Sequence, residues 1–129
     1  MNGSYILDTN IIIALFALDA KVQKQLGQAN EVFIPSIVLG ELYYGAHKSV
    51  HVESNTQRIE ELASNSAILA CDAECAKHYG IIKNRLRAKG RPIPENDIWI
   101  AAQAIQYDLI LVTRDTHFKA IESLPVEIW

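Results

Sequence analysis

Cysteine, long apolar runs and an excess of positive charge are all scarce in this chain, and each scarcity closes off a class of protein. Only Cys71 and Cys75 are present. They lie one helical turn apart, a spacing that matches neither a redox Cys-x-x-Cys nor a zinc pair. Cysteine's preference for burial predicts two reduced core thiols. The longest apolar run, Ile11 to Leu18, stops at Asp19 and is far too short to span a bilayer; it predicts a buried helix. Met1-Asn2-Gly3-Ser4 has no cationic segment of the kind that opens a secretory leader, so the expected location is cytoplasmic, with no membrane partner. Net charge is −3, which gives the chain as a whole no attraction for nucleic acid. Any polyanionic partner has to be held by local charge.

What is present fits one compact domain spanning 1–129. The 129 residues are 50% apolar, enough for a real core and too few for a second one. Short apolar runs alternate with helical stretches, without a Gly/Ser linker or a repeat, which predicts an α/β domain of βαβ type. Tyr5–Leu7 reads as a first strand, with Thr9 or Asn10 capping the helix that carries Ile11, Leu15 and Leu18. Val32–Ile34 reads as a second strand, after which Pro35-Ser36 supplies a turn and a cap for a helix through Val38, Leu39, Leu42 and Tyr43. A polar helix near 56–64, a strand near 67–70 and a helix from Asp72 or Ala73 to about Lys89 follow, with Gly90 as the glycine that ends it. Glu95–Tyr107 has helical spacing, Leu109–Thr113 is a strand, and Val126–Trp129 adds a last one.

Four carboxylates, Asp8, Glu41, Asp97 and Asp115, stand where an apolar segment gives way to a turn or to the first turns of a helix. In an open parallel sheet, ligands bind in the crevice outside the carboxyl ends of the strands, and Asp8 and Asp115 each follow a strand. Taken singly, Asp8 and Asp97 are ordinary helix-starting acids, and Asp115 is an ordinary turn residue. Glu41 lies among Leu39, Leu42 and Tyr43, where a charge is costly to bury without a partner. Taken together, carboxylates at one spot repel each other unless a cation is held between them. The set therefore predicts a divalent metal and chemistry on phosphate.

Four segments in order, Ile6-Leu7-Asp8-Thr9-Asn10, Ser36 with Glu41 five residues on, Asn96-Asp97-Ile98-Trp99-Ile100-Ala101-Ala102-Gln103-Ala104, and Leu111-Val112-Thr113-Arg114-Asp115-Thr116-His117-Phe118, resemble the motifs of the PIN-domain family. The resemblance covers nearly the whole chain and is closest to the single-domain VapC-type ribonuclease toxins of prokaryotic toxin–antitoxin pairs. It implies a three-layer sandwich with a central, mainly parallel sheet flanked by helices. It also implies a magnesium- or manganese-dependent endoribonuclease leaving 5′-phosphate and 3′-hydroxyl ends and a cognate antitoxin protein; a homodimer is expected besides.

Ligand type points the same way. An anionic all-oxygen set without a histidine triad suits Mg²⁺ or Mn²⁺ rather than zinc. Asp8 and Asp97 are the expected direct ligands, Asp115 and Glu41 complete the site directly or through water, and Asn10 and Thr113 hold the ligands by hydrogen bonds. Lys83, Arg85, Arg87, Lys89 and Arg91 place five of the twelve basic residues within nine positions. Arg85, Arg87 and Arg91 are candidates for RNA phosphates, although cations also suit a solvated helix end. His47 and His51 lack the glutamate of a zinc helix and are expected at the surface, while His78 and His117 carry no signal. Tyr43, Tyr44 and Trp99 have rings able to stack on bases, yet core or interface is their commoner place. Two other readings fail at named residues: an aspartyl phosphatase needs an acid where Asn10 stands, and a signalling receiver needs an aspartate within 32–35 and a lysine at 113–114.

Overall fold

The computed structural model describes residues 3–129. Five strands, β1 (Ser4–Leu7), β2 (Glu31–Pro35), β3 (Ala67–Leu69), β4 (Ile110–Val112) and β5 (Val126–Glu127), form one sheet in the order β3-β2-β1-β4-β5. Every pairing is parallel, so the sheet is wholly rather than mainly parallel. Parallel strands need crossovers that cover both faces, and six helices supply them: α1 (Thr9–Phe16), α2 (Ala20–Gln28), α3 (Ser36–His47), α4 (Val52–Ser64), α5 (Ala73–Ala88) and α6 (Glu95–Gln106). The chain leaves β1 towards β2 and β3, then returns to the other side of β1 as β4. Strand order thus reverses between β1 and β4, and the crevice above a reversal of this kind is where such sheets bind ligands.

The core explains which helices are apolar. Ile6, Ile11, Ile12, Val38, Ile100, Leu111 and Phe118 are all fully buried. On α6, residues 100 to 104 are buried without interruption, so this helix is covered all round rather than amphipathic. Gln103 is buried within it and donates from Nε2 to the Leu69 carbonyl at 3.1 Å. No helix among the described residues is long and apolar enough to cross a membrane.

Several local expectations are corrected. Asp8 itself caps α1, accepting from the Thr9 N–H at 2.8 Å, so neither Thr9 nor Asn10 is the cap. Pro35 precedes α3, and Ser36 is its first residue without a capping bond. The apolar run 11–18 is only partly interior: Ile13 and Leu18 are exposed, because α1 ends at Phe16 and turns one side to solvent. Cys75 is buried but Cys71 is exposed, since it lies in the link between β3 and α5. Helix α4 begins at Val52, four residues before the polar stretch that suggested it. Gly90, with φ +66°, takes the left-handed position after α5 as the glycine rule requires.

Candidate active site

The four carboxylates share one cleft. Asp8, Glu41, Asp97 and Asp115 all line one cleft of about 550 Å³, together with Thr9, Asn10, Ile13, the start of α6 at Pro94–Asp97, and His117. Asp8 arrives from the end of β1, Glu41 from the second turn of α3, Asp97 from the first turn of α6, and Asp115 from the turn after β4. The backbone joins β1 to β4 at the same point, where the Asp8 N–H donates to the Val112 carbonyl at 3.0 Å.

Asp8 is 4% exposed and densely held. It accepts from the Thr9 N–H and, at 2.8 Å, from the Thr113 hydroxyl, with Asn10 Nδ2 a longer 3.5 Å away. Thr113 is fully buried and also accepts from the Asp115 N–H at 3.0 Å, so one hydroxyl ties the two strand-end acids together. Asn10 Oδ1 accepts from the Arg114 N–H at 3.1 Å, which fixes the turn after β4 against the start of α1. The half-buried Glu41 accepts from the Thr9 hydroxyl at 2.8 Å.

Electrostatics reflect the crowding. Burial pushes the Asp97 carboxyl up to about 6, and the charge of Asp8 adds to the rise, against a lowering contribution from His117. Asp8 is also raised, first by burial and further by Asp115, with its hydrogen bonds from Thr113 and Thr9 opposing. Both shifts come chiefly from the loss of water around the charged form, with like charge adding to them. Oxygen donors of this kind, anionic and gathered in one cleft, fit a hard divalent cation.

Two residues join the site that sequence reasoning missed. Thr9 reads in the sequence as a cap and as part of a family motif, with no role at Glu41, yet its hydroxyl holds that carboxylate. His117 carried no signal, yet its Nε2 lies 2.6 Å from Asp97 Oδ2. The 3-10 helix Thr116–Ala120 brings it there, and its place two residues after Asp115 in a chain turn was the one available clue.

The sequence profile described as the PIN domain matches residues 5–124. The chain belongs to the PIN-domain family. Within that family it is similar to "Ribonuclease VapC2" of Haemophilus influenzae, 39% identical over 128 residues and 97% of each chain. It is also similar to "tRNA(fMet)-specific endonuclease VapC" of Shigella flexneri, 37% identical over 128 residues and 97% of each. Among solved structures, VapBC2 from Rickettsia felis bound to a promoter DNA fragment superposes with a TM-score of 0.90 at 35% identity, covering 97% of this chain and 98% of that one. DNA-bound VapBC from Salmonella typhimurium gives 0.91 at 32%, covering 100% and 99%. The fold expected from the resemblance is therefore the fold observed, and this PIN domain is of the VapC ribonuclease kind.

The basic segment of this PIN domain divides. Lys83 pairs with Glu95 at 2.6 Å and Lys89 with Glu122 at 2.9 Å. Arg85, Arg87 and Arg91 are exposed and take part in none of the ion pairs found among the described residues. Arg87 lines a hollow that reaches Glu95 at the cleft edge, whereas Arg85 lines another, beside Glu122. Arg114, by contrast, is committed: it donates to the Trp129 carbonyl at 2.9 Å and to Asp19 at 3.0 Å. His47, His51 and Tyr44 lie on the surface, and the half-buried Trp99 stacks on Tyr79 with ring centroids 4.0 Å apart.

Proposed function

We propose that this protein is a divalent-metal-dependent endoribonuclease, the toxin of a toxin–antitoxin pair, working on RNA in the cytoplasm and restrained by a cognate antitoxin protein. The observation that carries the reading is that Asp8, Glu41, Asp97 and Asp115 line one cleft at the reversal of the sheet. The curated relatives named as ribonucleases and the neighbours solved as VapBC complexes support it.

Asp8 and Asp97 would hold Mg²⁺ or Mn²⁺, with Asp115 and Glu41 completing the shell directly or through water. When bound, the cation supplies positive charge at the phosphate being cleaved and favours proton loss from water. The chain's own residues do the rest. Thr113 and the Thr9 N–H fix both oxygens of Asp8, Thr9 Oγ1 fixes Glu41, and Asn10 anchors the turn that carries Asp115. Arg87 and Arg91, with Arg85 on the adjoining side of α5, would draw RNA phosphates towards the cleft. An apolar groove of about 400 Å³ between α1, α3 and α4 shares Thr9, Ile13 and Glu41 with the cleft. It offers the antitoxin a surface continuous with the site. A homodimer is part of the same proposal.

The test is cleavage by purified protein of total RNA and of tRNA(fMet), the RNA named for the Shigella flexneri relative, with Mn²⁺, with Mg²⁺ and with chelator. Sequencing the RNA ends after brief induction then identifies the substrate. Cleavage that persists undiminished in chelator would sink the metal-dependent reading.

A further inference from the structure

One donor in the cleft is not an oxygen. Asp97, Asp115 and His117 each place one ligand-type atom within 4.8 Å of the others. Nε2 of the imidazole lies 2.6 Å from Asp97 Oδ2, and Nδ1 lies 3.9 Å from Asp115 Oδ1. The ring is therefore flanked by both acids. Its position is built in: the next residue, Phe118, is fully buried, and its ring packs against the imidazole with centroids 4.8 Å apart. The imidazole keeps 33% of its side-chain surface open towards the cleft.

Simple geometry tests whether one ion can serve all three. With bonds of roughly 2.1 Å, neighbouring donors in an octahedron sit about 3 Å apart and opposite ones about 4 Å. One ligand atom from each of Asp97, Asp115 and His117 lies within 4.8 Å of the others, close to that range. The 2.6 Å between Nε2 and Asp97 Oδ2 is a hydrogen-bond distance that opens by a few tenths of an ångström when an ion takes the place of the proton. Mg²⁺ takes oxygen donors and gives up its waters reluctantly, whereas first-row transition ions accept imidazole nitrogen. An imidazole among the carboxylates should thus separate two ions that an all-oxygen site treats alike.

We propose that His117 is a nitrogen ligand to the cation and biases the site towards Mn²⁺ over Mg²⁺. The inference rests on the metal-dependent reading above and concerns which ion that reading requires. Another role for the same ring is to hold Asp97 by a hydrogen bond, and glutamine can supply that bond without offering an imidazole nitrogen.

The experiment uses the full chain with MnCl₂ or MgCl₂ alone as probe, and compares wild type with His117→Gln, after circular dichroism has established that both are folded. Pulsed electron paramagnetic resonance of bound Mn²⁺ should show coupling to an imidazole ¹⁴N in wild type and none in the variant. Titration calorimetry should show the Mn²⁺ affinity of the variant reduced roughly tenfold or more, the scale of losses around metal sites, with Mg²⁺ affinity nearly unchanged. Mn²⁺ bound without nitrogen coupling, or equally tightly by the variant, would overturn the proposal and leave the metal-dependent reading intact. Failure of wild type to bind either ion would overturn both.

Discussion

Thr113 Oγ1 donates to Asp8 Oδ2 at 2.8 Å, joining residues 105 positions apart at the ends of neighbouring strands. The bond is buried, and the same hydroxyl accepts from the Asp115 N–H. One side chain therefore sets the orientation of one acid and the backbone course of another. Thr113→Val keeps the shape and removes the hydroxyl, which leaves Asp8 Oδ2 short of its nearest donor. Outer partners of metal ligands typically contribute roughly 10- to 100-fold in metal affinity or activity. A loss of that order is expected, measured by Mn²⁺ titration and by RNA cleavage, while a variant within twofold of wild type would show the bond to be incidental.

Asp8→Asn and Asp97→Asn should each abolish metal-dependent RNA cleavage and growth inhibition, a larger effect than that of Thr113→Val. Both acids are buried where they line the cleft, and the amide that replaces either carboxylate carries no charge to attract a cation. Cleavage at the wild-type rate by either purified variant would remove that residue from the mechanism.

The raised carboxyl of Asp97 makes stability depend on pH in a direction opposite to that of a salt-bridged acid. Its ordinary value is 3.8 and in the fold it is about 6, so the folded state binds this proton more tightly than the unfolded one. The group's contribution to stability is present in full below about 4 and is lost as pH rises through 6. A shift of this size corresponds to on the order of 3 kcal/mol. In metal-free protein, Asp97→Asn should raise the thermal midpoint at pH 7 and leave it nearly unchanged at pH 4. Calorimetry in chelator checks this, and a benefit that grows towards acid would contradict it.

A bound cation would reverse the balance by stabilising the ionised acids. If Mg²⁺ or Mn²⁺ binds only the folded state, the thermal midpoint should climb with metal concentration, as the folded state gains about 2.7 kcal/mol of stability at a hundred times the dissociation constant. The gain should shrink as pH falls and the ligands take up protons. It should largely vanish in the Asp8→Asn/Asp97→Asn double variant, and equal stabilisation there would place the ion elsewhere.

The exposed arginines can be tested through salt. Replacing Arg85, Arg87 and Arg91 with glutamine should weaken RNA binding across sequences and flatten its dependence on salt concentration, because fewer counterions are released. Binding measured between 50 and 200 mM salt (the range over which such contacts are usually resolved) gives the slope. An unchanged slope would assign these side chains to a solvated helix end.

Much of this architecture could be read from the amino-acid sequence because local chemistry and the global fold agree. Tyr5–Leu7, Val32–Ile34 and Ile110–Val112 are apolar runs that become strands covered on both faces, and Asp8 and Asp115 sit at the ends of two of them. Gly90 could be placed because one backbone position demands a positive φ. What escaped had weaker local causes. Helix α2 buries only Val22 and depends on the Asp19 cap, whose carboxylate accepts from the Val22 N–H at 3.1 Å; a polar stretch like Lys21–Gln25 shows little period without its neighbours. The 3-10 turn that turns His117 towards Asp97 is set by Phe118 sinking into the core, a tertiary event with no signature at position 117. Cys71 was misplaced because the preference of its residue type is an average, and its link between β3 and α5 lies outside the core.

The sheet order has a bearing on how this protein is made. Its central strand is β1, near the start, yet one of the two neighbours of β1 is β4, at Ile110–Val112. Ribosomes deliver roughly 5 to 20 residues per second, so for several seconds or longer a growing chain holds Asp8 without Thr113, Asp115 or His117. During that interval the cleft has one wall missing and its acids are unassembled. An unfinished copy is thus unarmed, and an antitoxin has the whole of that delay in which to be present before the first competent site closes.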